Sequence, residues 1–127
     1  CLVHGAPAAT EGELRDLLFK DSTRNKTFVV KRMRRGVKEA WLTYRVLSSA
    51  APTPWGNCSL VLVTMGTGRS HQIRVQFASR KHPLVGDHKY GARDEHTAPM
   101  LYSCCITFFL GGKAQTFSSL PDWANLP

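Results

Sequence analysis

A chain of 127 residues with 43% hydrophobic residues has room for about one domain and a modest core, and its composition is ordinary globular rather than disordered. No stretch approaches the ~18 consecutive apolar residues that a membrane-spanning helix needs. Seventeen Lys and Arg against nine Asp and Glu give a net charge of +8, a balance that points to a polyanion, RNA or DNA, as partner. Seven of those cations lie between Arg24 and Lys38 and six between Arg69 and Arg93, with no long basic amphipathic helix to favour a membrane surface instead. The chain starts at Cys1 without an initiator Met or a leader, so it is expected to begin partway through a longer product.

In chain order, "CLVHG" is a short apolar piece followed by a Gly/Pro/Ala turn. Thr10 stands three residues before Glu13, a capping-box spacing, and Leu14, Leu17 and Leu18 then predict a short helix. "NKTFVVKRMRRG" predicts a strand with a basic end closed by Gly36. "KEAWLTYRVLSS" alternates, with Ala40, Leu42, Tyr44 and Val46 on one face and Trp41, Thr43, Arg45 and Leu47 on the other, so the two segments predict an antiparallel hairpin.

"APTPWGN" is a loop, and "CSLVLVTMG" a central strand buried on both faces. In "TGRSHQIRVQFASRK", Ser70 can cap a helix that carries Ile73 and Phe77 at i, i+4 spacing. "HPLVGDHKYG" reads as turn, short strand and turn, and "MLYSCCITFFL", Gly111, Gly112 and "KAQTFSSL" as a last hairpin. The class is α+β, a mixed and mainly antiparallel sheet with a few short helices. Cys1, Cys58, Cys104 and Cys105 have no C-x-x-C spacing and read as reduced, mostly buried thiols. A zinc site would have to recruit His82, His88 or His96 without a ligand pair at finger-like spacing.

The segment from Arg69 to Arg74 admits two readings from its residues alone. A helix start attracts anions, so Arg69 and Arg74 could hold a phosphate or a carboxylate. An exposed helix start can equally carry solvated charge.

"TMGTGRSHQIRVQFASRKHPLVGDHKYG" resembles the linked blocks of the RluA-type RNA pseudouridine synthases, T-G-R-T/S-H-Q-I/L-R-V followed by H-P-I/L-x-G-D-x-x-Y-G. They stand here as Thr67 to Val75 and as His82, Pro83, Leu84, Gly86, Asp87, Tyr90 and Gly91. The flanks "NKTFVV", "GVKEAWLTYRVL" and "AQTFSSLPDW" resemble the family too, so the likeness covers essentially the whole chain. It implies a partial pseudouridine synthase fold, with residues 1–127 as the C-terminal half of the catalytic domain. The H-R-L-D-x-x-T-S-G motif that carries the family's catalytic Asp does not occur in this sequence, and the family's Tyr would fall just before residue 1.

The implied activity is isomerisation of uridine to pseudouridine in structured rRNA or tRNA, without cofactor or metal, by a monomeric enzyme of the cytoplasm or of an organelle. This chain alone is then expected to be inactive, and to expose a sheet edge or an apolar face where the first half would dock. The alternative is a noncatalytic RNA-binding protein that keeps the scaffold. Arg74 matches the family's arginine that pairs with the catalytic Asp, the member of an ion pair whose carboxylate is expected outside this sequence. Ile73 is expected to pack the base pocket, while Asp87 reads as a turn residue. Expected RNA contacts are Arg69, His71, Gln72, Arg80, Lys81, Lys89 and Arg93 around the motif, and Arg32, Arg34 and Arg35 at the basic hairpin end. His71 reads as a hydrogen-bonded histidine rather than an acid or base.

Overall fold

A computed structural model describes residues 1–125. Seven strands and one α-helix follow in the order β1 (Leu2–His4), β2 (Glu11–Asp21), β3 (Lys26–Val30), β4 (Val37–Thr53), β5 (Gly56–Met65), α1 (Gln72–Ser79), β6 (Cys105–Leu110) and β7 (Lys113–Ser118). Two 3-10 turns, His88–Tyr90 and Asp122–Asn125, complete the elements. The first five strands form one sheet in the order β1-β5-β4-β2-β3, and β6 and β7 form a separate ribbon. Every strand pairing among the described residues is antiparallel. No helix of the described residues is long and apolar enough to cross a membrane.

Two expectations fail in the first third of the chain. Residues 11–21 are not a helix but the strand β2, paired with β4 from Glu11↔Arg45 to Phe19↔Val37. Leu14 and Leu18, four residues apart, share a face in a strand as well as in a helix. Leu17 is the discriminating residue, and it falls on the opposite face, half-buried. A helix of this length is marginal in water, whereas the strand gains ladders on both sides. β2 also separates the two segments expected to form a hairpin, because β3 folds back on β2 through a short turn at residues 22–25.

One face of the sheet is covered by α1 and the segment from His82 to Met100. Val3, Leu14, Leu42, Val61, Phe77 and Leu84 make the main core, with Ile73, Tyr44, Val46 and Val63 packed at its margin. Phe77 is fully buried and meets Tyr44 edge-on at 5.7 Å between ring centres. Removing a buried ring of this kind costs about 3–5 kcal/mol. The alternation read in β4 holds, since Ala40 and Leu42 are buried and Glu39 and Thr43 exposed. β5 lies between two strands as expected, but only Cys58, Ser59 and Val61 are buried, because the far face of the sheet is uncovered. Leu84 makes a single bridge to Val3 in place of a short strand.

The last hairpin forms where expected, Cys105↔Ser118 to Leu110↔Lys113. Ile106, Phe109, Leu110 and Phe117 are exposed on it. The thiols are free, but only Cys58 is buried; Cys1 and Cys104 are half-buried and Cys105 exposed. Cys105 leaves the core because its strand belongs to the ribbon.

The loop after Asp87 is tied to β1 by Asp94, whose carboxylate is buried. It accepts the Gly86 N–H at 2.9 Å, the His96 N–H at 2.9 Å and the His4 Nε2–H at 2.6 Å. Burial pushes this carboxyl upward, but the Gly86 N–H, the His4 ring and the His96 N–H outweigh it and hold the pKa at about 2 instead of 3.8. A depressed folded-state pKa means that the stability Asp94 supplies is complete above about pH 4 and is lost as pH falls toward ~2. Asp94→Ala is expected to destabilise the fold by about 2 kcal/mol at neutral pH. It should also flatten the acid limb of stability between about pH 4 and 2, as measured by urea denaturation across pH.

Candidate active site around Arg74

The site is built where β5 runs into α1. Gly66 N–H and Thr67 N–H both donate to the Trp41 carbonyl oxygen at 3.1 Å, which turns the chain away from the sheet. A Cβ on Gly66 would stand 2.2 Å from the Trp41 ring, so only glycine fits this approach. Gln72 then fixes the next three residues. Its Nε2 donates to the Trp41 carbonyl oxygen at 2.9 Å, while its Oε1 accepts the Thr67 hydroxyl at 2.8 Å and the Arg69 N–H at 3.0 Å.

Ser70 does not cap α1. The residue before the helix is His71, held in the left-handed region at φ 53°, ψ 24° with no side-chain cap. A non-glycine residue in that region costs free energy and persists where its surroundings hold it in place. Here the His71 ring is fixed by Tyr90, whose hydroxyl lies 2.7 Å from Nδ1 and accepts the Thr27 N–H at 2.9 Å. A neutral imidazole can accept the Tyr90 hydroxyl at Nδ1 with its own proton on Nε2. Burial, then the charges of Arg74 and Lys89, lower the His71 pKa and favour that neutral form.

Arg74 lies one helical turn on, at i+3, against the same tyrosine. Its guanidinium carbon is 5.1 Å from the Tyr90 ring centre. Its Nε and Nη2 donate to Asp87 Oδ2 and Oδ1, each at 2.8 Å. The Asp87 side chain has no exposed surface and that of Arg74 has 19%. The Asp87 hydrogen bond is the main cause that raises the Arg74 pKa.

Asp87, expected to be a turn residue, is thus the carboxylate that orients Arg74, and the sequence reading missed this partner. The signal was its place in the second linked block. The bond uses the Nε side of the guanidinium, so Nη1, which has no hydrogen bond among the described residues, leaves the end of the fork free for a second carboxylate.

The other predicted residues are placed differently from one another. Gln72 is buried with both its oxygen and its nitrogen engaged within the loop, so it positions the loop rather than facing RNA. Ile73 packs against the main core, on the opposite side of α1 from Tyr90. Arg80 is tied to Asp16 at 2.7 and 3.2 Å, and Lys89 reaches the Asn25 carbonyl oxygen at 2.8 Å. Lys81 and Arg93 are exposed. Arg32, Arg34 and Arg35 lie in the exposed β3–β4 loop, Arg34 over the Phe19 ring at 4.5 Å.

Cys58, His4 and Asp94 also stand in line, with Sγ 3.9 Å from Nδ1 and Nε2 2.6 Å from Oδ2. Burial raises the Cys58 pKa and the residue is 1% exposed, so this thiol is a packed core group and not a nucleophile.

Truncating the two halves of the Arg74–Asp87 pair is expected to cost unequally. Arg74→Ala removes the buried Asp87 carboxylate's ion-pair partner, a loss of about 3–5 kcal/mol. Asp87→Asn leaves a guanidinium that can turn to water, and should cost less in the same urea titration.

The sequence profile of the RNA pseudouridylate synthase family matches residues 1–79. An uncharacterised RNA pseudouridine synthase of Aquifex aeolicus is 39% identical over 71 residues, 56% of this chain and 22% of that protein. Ribosomal large subunit pseudouridine synthase D of Zymomonas mobilis is 34% identical over 90 residues, 71% of this chain and 26% of that protein. Among solved structures, human RNA pseudouridylate synthase domain containing 1 superposes with a TM-score of 0.78 at 24% identity. That match covers 96% of this chain and 52% of that one, a likeness of fold. The chain spans about a quarter of the length of these two sequence relatives and half of that structure. With the family profile across the whole sheet and into α1, and the linked blocks around Arg74 in their expected order, the chain belongs to the RluA-type RNA pseudouridylate synthase family.

Proposed function

We propose that the protein carrying this chain isomerises uridine to pseudouridine in structured rRNA or tRNA, and that residues 1–127 supply the second half of its catalytic domain. The observation that carries the reading is the Arg74 guanidinium, held from behind by Asp87 with the end of its fork unclaimed. A catalytic aspartate from the first half would meet that fork. An opposite charge within about 4–6 Å favours the ionised carboxylate that a nucleophile requires. The target uridine has to leave its stack before a base can be worked on, and it would enter between this fork and the neutral His71. The exposed apolar ribbon of β6 and β7 supports the half-domain reading, since an isolated two-stranded ribbon with Phe109 and Leu110 in water lacks a packed face of its own. The enzyme is read as a monomer of the cytoplasm or an organelle.

Arg74→Lys in the full-length protein separates function from stability. The ammonium still faces Asp87, so the fold should survive with an ordinary melting transition. Lysine has no planar fork for a second carboxylate. Tritium release from 5-labelled uridine in RNA is expected to fall at least ~100-fold, the scale of removing a preorganised charge contact, while RNA affinity is largely kept. Undiminished turnover would remove Arg74 from the chemistry.

A further inference from the structure

A cleft of about 300 Å³ lies beside the Arg74 site. Leu18, Lys20, Lys38, Gly68, Arg69 and Ser70 wall it. The strand registers Leu18↔Lys38 and Lys20↔Thr27 put both lysines on the α1 side of the sheet, as diagonal neighbours across β2 and β4. Neither ammonium has a hydrogen bond or an ion pair among the described residues, and no carboxylate lines the cleft. Like charges so placed repel. Cations elsewhere on the same strands are neutralised, as Arg15 is on the opposite face by Glu13 and Glu39. The third cation, Arg69, is anchored through Nε to the Glu39 carbonyl oxygen at 2.9 Å, which leaves its terminal nitrogens free. A Cβ added to Gly68 would meet nothing within 4 Å, so the backbone there can be approached closely.

The cleft and the Arg74 site share a wall. Thr27, which is buried, donates its hydroxyl to the Ser70 carbonyl oxygen at 2.9 Å and its N–H to the Tyr90 hydroxyl. Lys20 is close enough to be one of the charges acting on His71. An anion in the cleft would therefore sit one residue's width from the ring that Tyr90 orients.

We propose that Lys20, Lys38 and Arg69 form a phosphate pocket that takes one backbone phosphodiester of the RNA, next to the nucleotide presented to Arg74. This rests on the RNA reading of the preceding subsection. The three cations supply separate donors around one oxyanion, Arg69 as a fork and the lysines as point charges. A free phosphate ion has the same chemistry, and the test separates the two sources.

Binding of a fluorescent uridine-containing RNA stem-loop by the full-length protein, measured by anisotropy over a range of salt, reads the pocket directly. The Lys20→Gln/Lys38→Gln variant is expected to bind about tenfold more weakly, with the slope of log affinity against log salt reduced by about one phosphate contact. Lys113→Gln, on β7 of the separate ribbon and outside the cleft lining, serves as the control for a lost charge and should leave that slope unchanged. Both lysines are exposed, so the double variant should melt like the parent; Arg69→Gln gives an independent second reading. Neutral methylphosphonate linkages placed one at a time around the target uridine should weaken the parent at one position and leave the double variant indifferent there.

A double variant with the parent's salt slope would overturn the pocket, as would the absence of any such position. Tight binding of inorganic phosphate, abolished in the double variant while RNA binding is unchanged, would reassign the cleft to the free ion and also overturn it. A parent protein that does not bind RNA would sink the RNA reading itself.

Discussion

The Asp87 carboxylate has no exposed surface and, among the described residues, one side-chain partner, the Nε side of the Arg74 guanidinium. A buried carboxylate left alone is costly, so α1 and the loop that carries Asp87 cannot separate without a large penalty. That bond sets the rotation of α1, because Arg74 must point at the loop while Phe77, three residues on, fills the core. It also sets the position of Tyr90, which lies under the guanidinium and reaches back to His71 and Thr27. The ion pair and Tyr90 together therefore join three sequence regions, β3, the start of α1 and the 3-10 turn, into one wall.

The wall has a second anchor of a different kind. The Trp41 carbonyl oxygen accepts Gly66, Thr67 and Gln72 donors, and the Trp41 N–H is itself taken by the Thr67 hydroxyl at 3.0 Å. Backbone groups at the end of β5 that would otherwise be orphaned are satisfied through one residue of β4. The free Nη1 end of the Arg74 fork is thus placed by a buried charge pair through Nε and Nη2 on one side and a hydrogen-bond clamp on the other, neither of which uses Nη1. Precision of this kind is what a site needs when a partner must meet a guanidinium at bonding distance.

Much of this was legible in the sequence, for reasons that can be stated residue by residue. The β4 alternation, the last hairpin and the helix carrying Phe77 were readable because each has one period with one solution. The strand β2 was not, since Leu14 and Leu18 satisfy both periods and the decision lay with β4, whose partner is a tertiary fact. The helix start was misread because Ser70 is a good cap in isolation, whereas His71 takes the strained position under the pull of Tyr90, nineteen residues away. Gln72 looked like a polar contact for RNA because a glutamine in a basic motif gives no sign of burial. Asp87 looked like a turn because its partner is thirteen residues distant on another element.

The charge pattern also changes meaning once it is folded. The excess of cations in the sequence reads as a diffuse attraction for polyanions, but the carboxylates are not scattered at random among them. Glu13 and Glu39 neutralise Arg15, Asp21 faces Arg24, Asp16 holds Arg80 and Asp87 holds Arg74. These pairs take five of the nine acidic residues to the outer face of the sheet, to the β2–β3 turn and to the two ends of α1. Among the described residues, Lys20, Lys38 and the terminal nitrogens of Arg69 line a cleft without a carboxylate on the side where α1 begins. Pairing elsewhere thus concentrates the uncompensated charge beside Arg74, where a cleft wall of low polarizability strengthens its field relative to the open surface.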